Sequence, residues 1–158
     1  MLDRFPEVAE LVSVWMLDIS GEIKTRVLSP NTQYAAYLVF KMIPGNGLQN
    51  NPMCLSVGVK GRHKSTKTVL LDPNVEPTLP TIKSILLGHA WTRTMNSRVE
   101  RLQRPSLRSD GWLEIEMGEF FNLGLKNKVK MSVTQVKCGL LSGNFFLEGV
   151  EVRPKEEN

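Results

Sequence analysis

The stretch that decides the fold is 33–43, QYAAYLVFKMI. Apolar side chains fill both of its alternating sets of positions, with Tyr34, Ala36, Leu38 and Phe40 on one face and Ala35, Tyr37 and Val39 on the other. A two-residue period rich in aromatic and β-branched residues predicts a β-strand. Because both faces are apolar, we expect this strand to lie at the centre of a sheet.

Shorter runs with the same period lie on both sides of this strand. They are 12–19, 22–28, 53–59, 68–71, 112–117, 129–136 and 145–152. Ser20-Gly21 predicts a hairpin turn between the first two runs, and 118–122 is predicted as a turn or short helix. The spacing of 82–87 also predicts a short helix. About eight strands with few helices predict an all-β protein, an antiparallel β-sandwich of jelly-roll-like form.

The composition limits the class of protein. The chain has 158 residues, of which 41% are hydrophobic and 23% charged, which is typical of one globular domain over 1–158. No stretch approaches the roughly 18 consecutive apolar residues of a membrane span. Residues 1–7 lack the basic and apolar regions of a secretory signal. We therefore expect a soluble, cytoplasmic protein.

Charge and cysteine content are both modest. The net charge is +4, and a basic turn at 60–67 is predicted to form the tip of a hairpin. Cys54 and Cys138 are too few for a disulfide framework or a four-ligand zinc site. Two buried free thiols in a reducing compartment are the first interpretation, and a disulfide, including one between chains, is the alternative.

Residues suited to catalysis are scarce. His63 and His89 have no metal-ligand spacing, and the chain lacks the common nucleophile, phosphate-loop and dinucleotide motifs. Glu114 and Glu116 share one strand face about 6.5–7 Å apart, a spacing that also occurs in glycosidase carboxylate pairs. Solvated glutamates are the simpler interpretation. We predict neither enzymatic activity nor a metal or cofactor.

Aromatic side chains offer the remaining chemistry, because a ring can cover the C–H face of a sugar while polar groups bind its hydroxyls. Trp15 shares a face with Leu17 and Ile19 and is predicted to be buried. Trp112 lies on the polar face with Glu114 and Glu116, either as a stacking ring or as a ring covered by a loop. Trp91 lies among polar residues and is predicted to be exposed.

Five segments carry a resemblance to a known family. They are 15–23, 28–41, 107–115 (LRSDGWLEI), 117–122 (MGEFFN) and 147–154 (LEGVEVRP). Together they resemble phloem protein 2, the Nictaba-like plant lectins, over about 12–154. With no F-box attached to the given chain, the resemblance is to the small free-standing phloem lectin of cucurbits.

The resemblance implies a non-enzymatic lectin that binds N-acetylglucosamine oligomers, such as chitin fragments and N-glycan cores. It also implies a cytosolic product that moves in phloem sap, forms homodimers and serves in phloem defence. Family members are discussed as RNA-binding too, which would give the basic turn at 60–67 a function. An RNA-binding protein is therefore the alternative hypothesis, and a filament subunit linked through its cysteines is a third.

The resemblance also directs the choice of site residues. Some relatives carry acidic residues after the Glu-Phe-Phe-Asn motif, where this chain has Lys126, Lys128 and Lys130. We therefore place the carbohydrate site on aromatic residues and on the turn before Trp112. The predicted site residues are Trp91, Arg108, Ser109, Asp110, Trp112, Phe120 and Phe121.

Overall fold

The computed structural model describes residues 7–43, 51–73, 102–137, 139 and 141–156. Within these residues the chain forms nine strands and one short 3-10 helix at Thr25–Val27. The strands are β1 (Ala9–Val14), β2 (Asp18–Lys24), β3 (Thr32–Met42), β4 (Met53–Val59), β5 (Ser65–Val69), β6 (Ser106–Leu107), β7 (Leu113–Asn122), β8 (Lys128–Gln135) and β9 (Leu141–Pro154).

The strands form two antiparallel sheets that pack against each other. The large sheet has the order β1-β9-β3-β7-β6, and the small sheet has the order β2-β8-β4-β5. The predicted β-sandwich is confirmed. The predicted central position of β3 is also confirmed, because it pairs with β7 on one side and β9 on the other.

The core lies between the sheets and consists of the inward sets of the alternating strands. Phe40 of β3 stacks on Phe145 of β9 with ring centroids 5.5 Å apart. The small sheet contributes Leu55 and Val57 from β4 and Val133 from β8, each at most 1% exposed. Burial of such side chains contributes most of the stability of a fold of this size.

The β1–β2 region differs from the prediction. The run 12–19 is not one strand, because the chain bends at 15–17 between β1 in the large sheet and β2 in the small sheet. Ser20-Gly21 is not a turn either, since Gly21 lies inside β2 and pairs with Met131. The second predicted strand, 22–28, ends at Lys24 and continues as the 3-10 helix. Pairing with β8 overrides the local turn signal.

Strand β7 also extends further than predicted, since 118–122 forms its second half rather than a turn or helix. Ala36 of β3 pairs with Gly118 and Tyr37 pairs with Glu116, so Met117 is an extra residue on β7. This β-bulge reverses the phase of the strand, since every later side chain moves to the opposite face.

Other predictions are confirmed where the structure describes them. Strands were predicted at β4, β8 and β9, and the basic turn connects β4 to β5 in a hairpin. The last three residues of the predicted turn, 65–67, form the start of β5, so this strand covers Ser65–Val69 instead of the predicted 68–71. Cys54 is a half-buried free thiol on β4. The predicted helix at 82–87, Trp91 and Cys138 lie outside the described residues. In the part of the chain that is described, no helix has the length and apolar character to cross a bilayer.

Candidate functional site

The predicted site residues lie in separate parts of the molecule. Arg108, Ser109, Asp110 and Trp112 precede β7, whereas Phe121 lies near its far end. A strand rises about 3.3 Å per residue, so roughly 30 Å separates Trp112 from Phe121. The structure therefore does not bring these residues together into one site.

Arg108 is the centre of an ion-pair network on the outer face of the large sheet. Its guanidinium lies 3.0 Å from Asp110, 3.0 Å from Glu151 and 3.6 Å from Glu114. Its side chain is only 15% exposed. Glu114 also accepts a 2.6 Å hydrogen bond from Arg153. The guanidinium that was predicted to bind a ligand is thus occupied by carboxylates of the same chain.

Asp110 shapes the turn that leads into β7. Its carboxylate accepts a 3.1 Å hydrogen bond from the Trp112 N–H, and the Gly111 N–H donates to the Arg108 carbonyl at 3.1 Å. Desolvation opposes ionisation of Asp110, but the hydrogen bonds from Trp112 and Arg108 outweigh it and lower its pKa. The positive φ of 87° at Gly111 suits glycine. Ser109 and Gly111 are the exposed residues of this turn.

Trp112 is buried, with 4% exposure. Of the two interpretations that the sequence left open for Trp112, the structure agrees with a covered ring and not with an exposed stacking ring. The Lys41 ammonium lies 4.3 Å from the ring centroid, a cation–π contact that covers the indole. Alternation predicts correctly that Leu113, Ile115 and Met117 are buried, but it does not reveal what covers the opposite face.

Phe120 and Phe121 have opposite surroundings. Phe120 is 6% exposed and stacks on Tyr34 with ring centroids 5.7 Å apart, so it belongs to the core. Phe121 is 42% exposed. Uninterrupted alternation from Met117 would bury Phe121 instead, and the bulge at Met117 reverses the two positions.

Trp15 is the exposed tryptophan of the described chain, and the sequence analysis predicted it to be buried. Its exposure is 73%, because it lies in the bend between β1 and β2 rather than inside a strand. The sequence gives no signal of this bend, because Trp15, Leu17 and Ile19 alternate as they would in a continuous strand.

Hydrogen bonds from Gln135 and its neighbours hold the bend that carries Trp15. Gln135 is 2% exposed; its Oε1 accepts from the Leu17 N–H at 3.0 Å and its Nε2 donates to the Gly139 carbonyl at 3.1 Å. The Gly139 N–H donates to the Trp15 carbonyl at 3.0 Å, and the Val136 N–H donates to Pro52 at 3.1 Å. We call this region, 15–17, 51–52, 135–137 and 139, the tryptophan end.

A groove of about 470 Å³ runs along the outer face of the small sheet. Hydroxyl and charged side chains alternate with the core residues of β2, β4 and β8 to line it. They include Asp18, Ser20, Ser56, Lys130, Ser132 and Thr134. Asp18 pairs with Thr134 at the end of the groove, three residues after Trp15. Ligand sites typically measure roughly 300–1,000 Å³, so the groove has the size of a binding site.

Comparison with known proteins assigns the family. The family model described as phloem protein 2 matches residues 2–154. The chain belongs to the phloem protein 2 family. It is 40% identical to the F-box protein PP2-B13 of Arabidopsis thaliana, in an alignment of 159 positions that covers 96% of this chain and 55% of that protein. It is 39% identical to the F-box protein VBF of Arabidopsis thaliana, over 96% of this chain and 56% of that protein.

This phloem protein 2 chain spans about half the length of the curated relatives that it matches. The resemblance predicted from the sequence motifs is confirmed, and the match begins earlier than the expected 12–154. The expected free-standing form and the single-domain boundaries stay predictions. The motif Arg108–Trp112 has a structural role in this phloem protein 2 fold, since it forms the turn and the ion pairs that begin β7.

Proposed function

We propose that this phloem protein 2 chain is a non-enzymatic lectin that binds N-acetylglucosamine oligomers at the tryptophan end and along the adjoining groove. The observation that carries the proposal is the 73% exposure of Trp15, three residues before Asp18 at the end of a polar groove. An exposed indole can cover the apolar C–H face of one sugar ring. This places the site away from the Arg108–Trp112 turn.

The groove supplies the polar half of such a site. Asp18 and Ser20 on β2 and Thr134 on β8 are suited to hydrogen bonds with sugar hydroxyl and acetamide groups. Because the tryptophan end is held by the buried amide of Gln135, Trp15 loses little freedom when a ligand stacks on it. A groove longer than one sugar ring supports preference for oligomers over the monosaccharide.

The remaining expectations follow from the family. Phloem sap is the proposed location, and chitin fragments and N-glycan cores are the proposed glycans, with phloem defence as the proposed role. RNA binding through the basic turn is the alternative, and steep loss of affinity with added salt would be its signature. Stacking of a neutral sugar depends much less on salt.

The test is calorimetric titration of the protein with chitotriose and with N-acetylglucosamine. We expect chitotriose to bind more tightly, and we expect Trp15→Ala to weaken binding about fivefold to tenfold at unchanged melting temperature, since one aromatic contact contributes about 1 kcal/mol. Asp18→Asn should weaken binding while preserving the fold. Equal affinity for one and three sugar units, or normal binding by Trp15→Ala, would contradict this site.

Two control variants test the corrected site assignment. Phe121→Ala removes an exposed ring far from the tryptophan end and should leave chitotriose affinity unchanged. Trp112→Ala removes a buried ring and should cost roughly 3–5 kcal/mol of stability, as other large core truncations do. A Trp112→Ala protein that melts normally but no longer binds sugar would restore the site predicted from the sequence.

A further inference from the structure

The loops at the opposite end of the small sheet reverse the usual distribution of polar and apolar residues. Thr25 and Asn122 are polar and buried, at 3% and 2% exposure. Val27, Leu123 and Leu125 are apolar and exposed, at 66%, 46% and 60%. Buried polar side chains are tolerated where they form hydrogen bonds, whereas a group of exposed aliphatic side chains is typical of an interaction surface.

The buried polar residues hold these loops together. The Thr25 hydroxyl donates to the Leu125 carbonyl at 2.7 Å. The Asn122 side-chain amide donates to the Ser29 carbonyl at 2.9 Å, and its oxygen accepts from the Gly124 N–H at 3.1 Å. Gly124 has a φ of 81°, which suits glycine in such a tight turn. The exposed aliphatic groups are thus presented by a hydrogen-bonded framework rather than by an unstructured loop.

Cations surround the exposed aliphatic groups. A cavity of about 230 Å³ is lined by Lys24, Arg26, Lys126, Asn127 and Lys128. Arg62 lines a small neighbouring cavity with Phe121, Leu123 and Leu125. Glu22 pairs with Lys128 at 3.4 Å, which leaves a clear excess of positive charge over the lining residues. We call this region, 24–28, 60–64 and 121–128, the basic end.

We propose that the basic end docks onto the surface of an anionic lipid bilayer, with Val27, Leu123 and Leu125 entering the interface and the cations contacting lipid headgroups. Membrane-surface proteins combine apolar side chains that enter the headgroup region with Lys and Arg that attract anionic lipids. The charge of the basic end and its apolar tips match both requirements.

The apolar side chains favour a bilayer over a nucleic acid as the partner. Single-stranded RNA is bound by aromatic rings on which bases stack, together with a basic groove. The basic end has four exposed apolar side chains, and only Phe121 among them is aromatic. The three aliphatic side chains gain more free energy from entering hydrocarbon than from contact with bases.

Docking in this orientation leaves the tryptophan end free. The two ends lie at opposite ends of β8, so seven residue steps of about 3.3 Å place them roughly 23 Å apart. Trp15 would then face away from the bilayer. The proposal does not rest on lectin activity, because lipid vesicles without glycolipid offer no sugar.

The test is co-sedimentation of the protein with phosphatidylcholine vesicles that contain about one third phosphatidylserine. We expect binding to these vesicles that falls with added salt, and at least tenfold weaker binding to pure phosphatidylcholine. Lys126→Glu should weaken binding about fivefold or more, since one cation near an anionic surface contributes about 1 kcal/mol. Leu125→Asn should weaken vesicle binding by a similar factor, and the remaining binding should not become more sensitive to salt.

The chain provides matched controls at the other end of β8. Val136→Asn changes an apolar side chain of 51% exposure, and Lys137→Glu makes the same charge change as Lys126→Glu. Both controls, and Trp15→Ala, should bind vesicles like the wild type, and every variant should melt like the wild type. If Leu125→Asn melts early, Leu125→Ser and Leu123→Ser provide the same comparison.

Three results would overturn the proposal. The first is no binding to phosphatidylserine vesicles, including the case in which the protein binds a single-stranded RNA instead. The second is equal loss of binding in the Lys126→Glu and Lys137→Glu proteins, which would show attraction by net charge alone. The third is unchanged vesicle binding by the leucine variants, particularly if they also convert a dimer into a monomer.

Discussion

Replacement of Gln135 by leucine is expected to remove the hydrogen bonds that connect the loops of the tryptophan end. In the wild type, the buried amide accepts the Leu17 N–H at 3.0 Å and donates to the Gly139 carbonyl at 3.1 Å. Leucine fills a similar volume but can make neither hydrogen bond. The Leu17 N–H and the Gly139 carbonyl would then lose their partners.

The cost can be estimated from these two groups. Each buried polar group left without a partner costs about 1–3 kcal/mol, and the apolar leucine side chain recovers part of that loss. We expect a net destabilisation of about 2–4 kcal/mol, which corresponds to a drop in melting temperature of roughly 4–16 °C for a domain of this size. Urea unfolding and thermal melting both measure it.

A glutamate at the same position gives a sharper test. Ionised Gln135→Glu could still accept the Leu17 N–H, but it could not donate to Gly139 and would bury a charge. Burial raises the pKa of such a carboxyl in the folded state. The folded variant is therefore more stable at low pH, where the carboxyl is protonated, and it loses stability as the pH rises and the carboxyl ionises. We expect Gln135→Glu to melt closer to the wild type at about pH 4.5 than at about pH 7.5.

Both variants also connect stability to the proposed function. Measured well below the melting temperature, Gln135→Leu should bind chitotriose several-fold more weakly, because the bend that carries Trp15 is less well held. Val136→Ala, at a neighbouring exposed position, should change stability by less than about 0.5 kcal/mol. A Gln135→Leu protein that melts within about 2 °C of the wild type would refute the structural role of this amide.

Three further predictions concern packing, charge and assembly. Gly58→Ala should destabilise the β4–β5 hairpin by about 1–3 kcal/mol in urea unfolding, because the new methyl would lie 2.5 Å from Lys64 Cβ, whereas Gly21→Ala meets nothing within 4 Å and should be tolerated. The hydrogen bond from Lys155 holds the pKa of Glu119 below its ordinary value. The pair therefore stabilises the fold at pH values above the ordinary carboxyl pKa, and this stabilisation is lost as the pH falls through the lowered pKa. Glu119→Gln should therefore flatten the acid side of the melting profile, and an unchanged profile would contradict this assignment. Light scattering at tens of micromolar should give about twice the chain mass of 17.8 kDa if the expected homodimer forms, and a monomer would count against it.

Local periodicity was enough to predict most of the architecture. Strand β4 was predicted with the bounds it has, and β3 was predicted as central because both of its faces are apolar. The phloem protein 2 motifs predicted the family that the comparison confirms. These features depend on side chains within one segment, and the printed sequence contains all of them.

The binding site was not predicted as well as the architecture, because its prediction depended on the surroundings of single side chains. Arg108 and Asp110 were predicted as carbohydrate-binding residues, but they pair with each other and their charges are used within the fold. Phe120 and Phe121 were both predicted as site residues, but the extra residue at Met117 shifts the phase of β7, so that Phe120 is buried and Phe121 is exposed. A bulge of one residue leaves no clear signal in the sequence.

The sequence by itself determined that this protein is a two-sheet β-sandwich of the phloem protein 2 family, because strand period and motif order are properties of the chain alone. Only the tertiary structure decided which tryptophan faces solvent: Trp15, predicted to be buried, is 73% exposed, and Trp112, for which the sequence left a stacking ring and a covered ring open, is 4% exposed. The physical reason is that burial depends on what a distant segment places over a side chain. Lys41 of β3 covers Trp112, whereas the bend at 15–17 carries Trp15 out of both sheets.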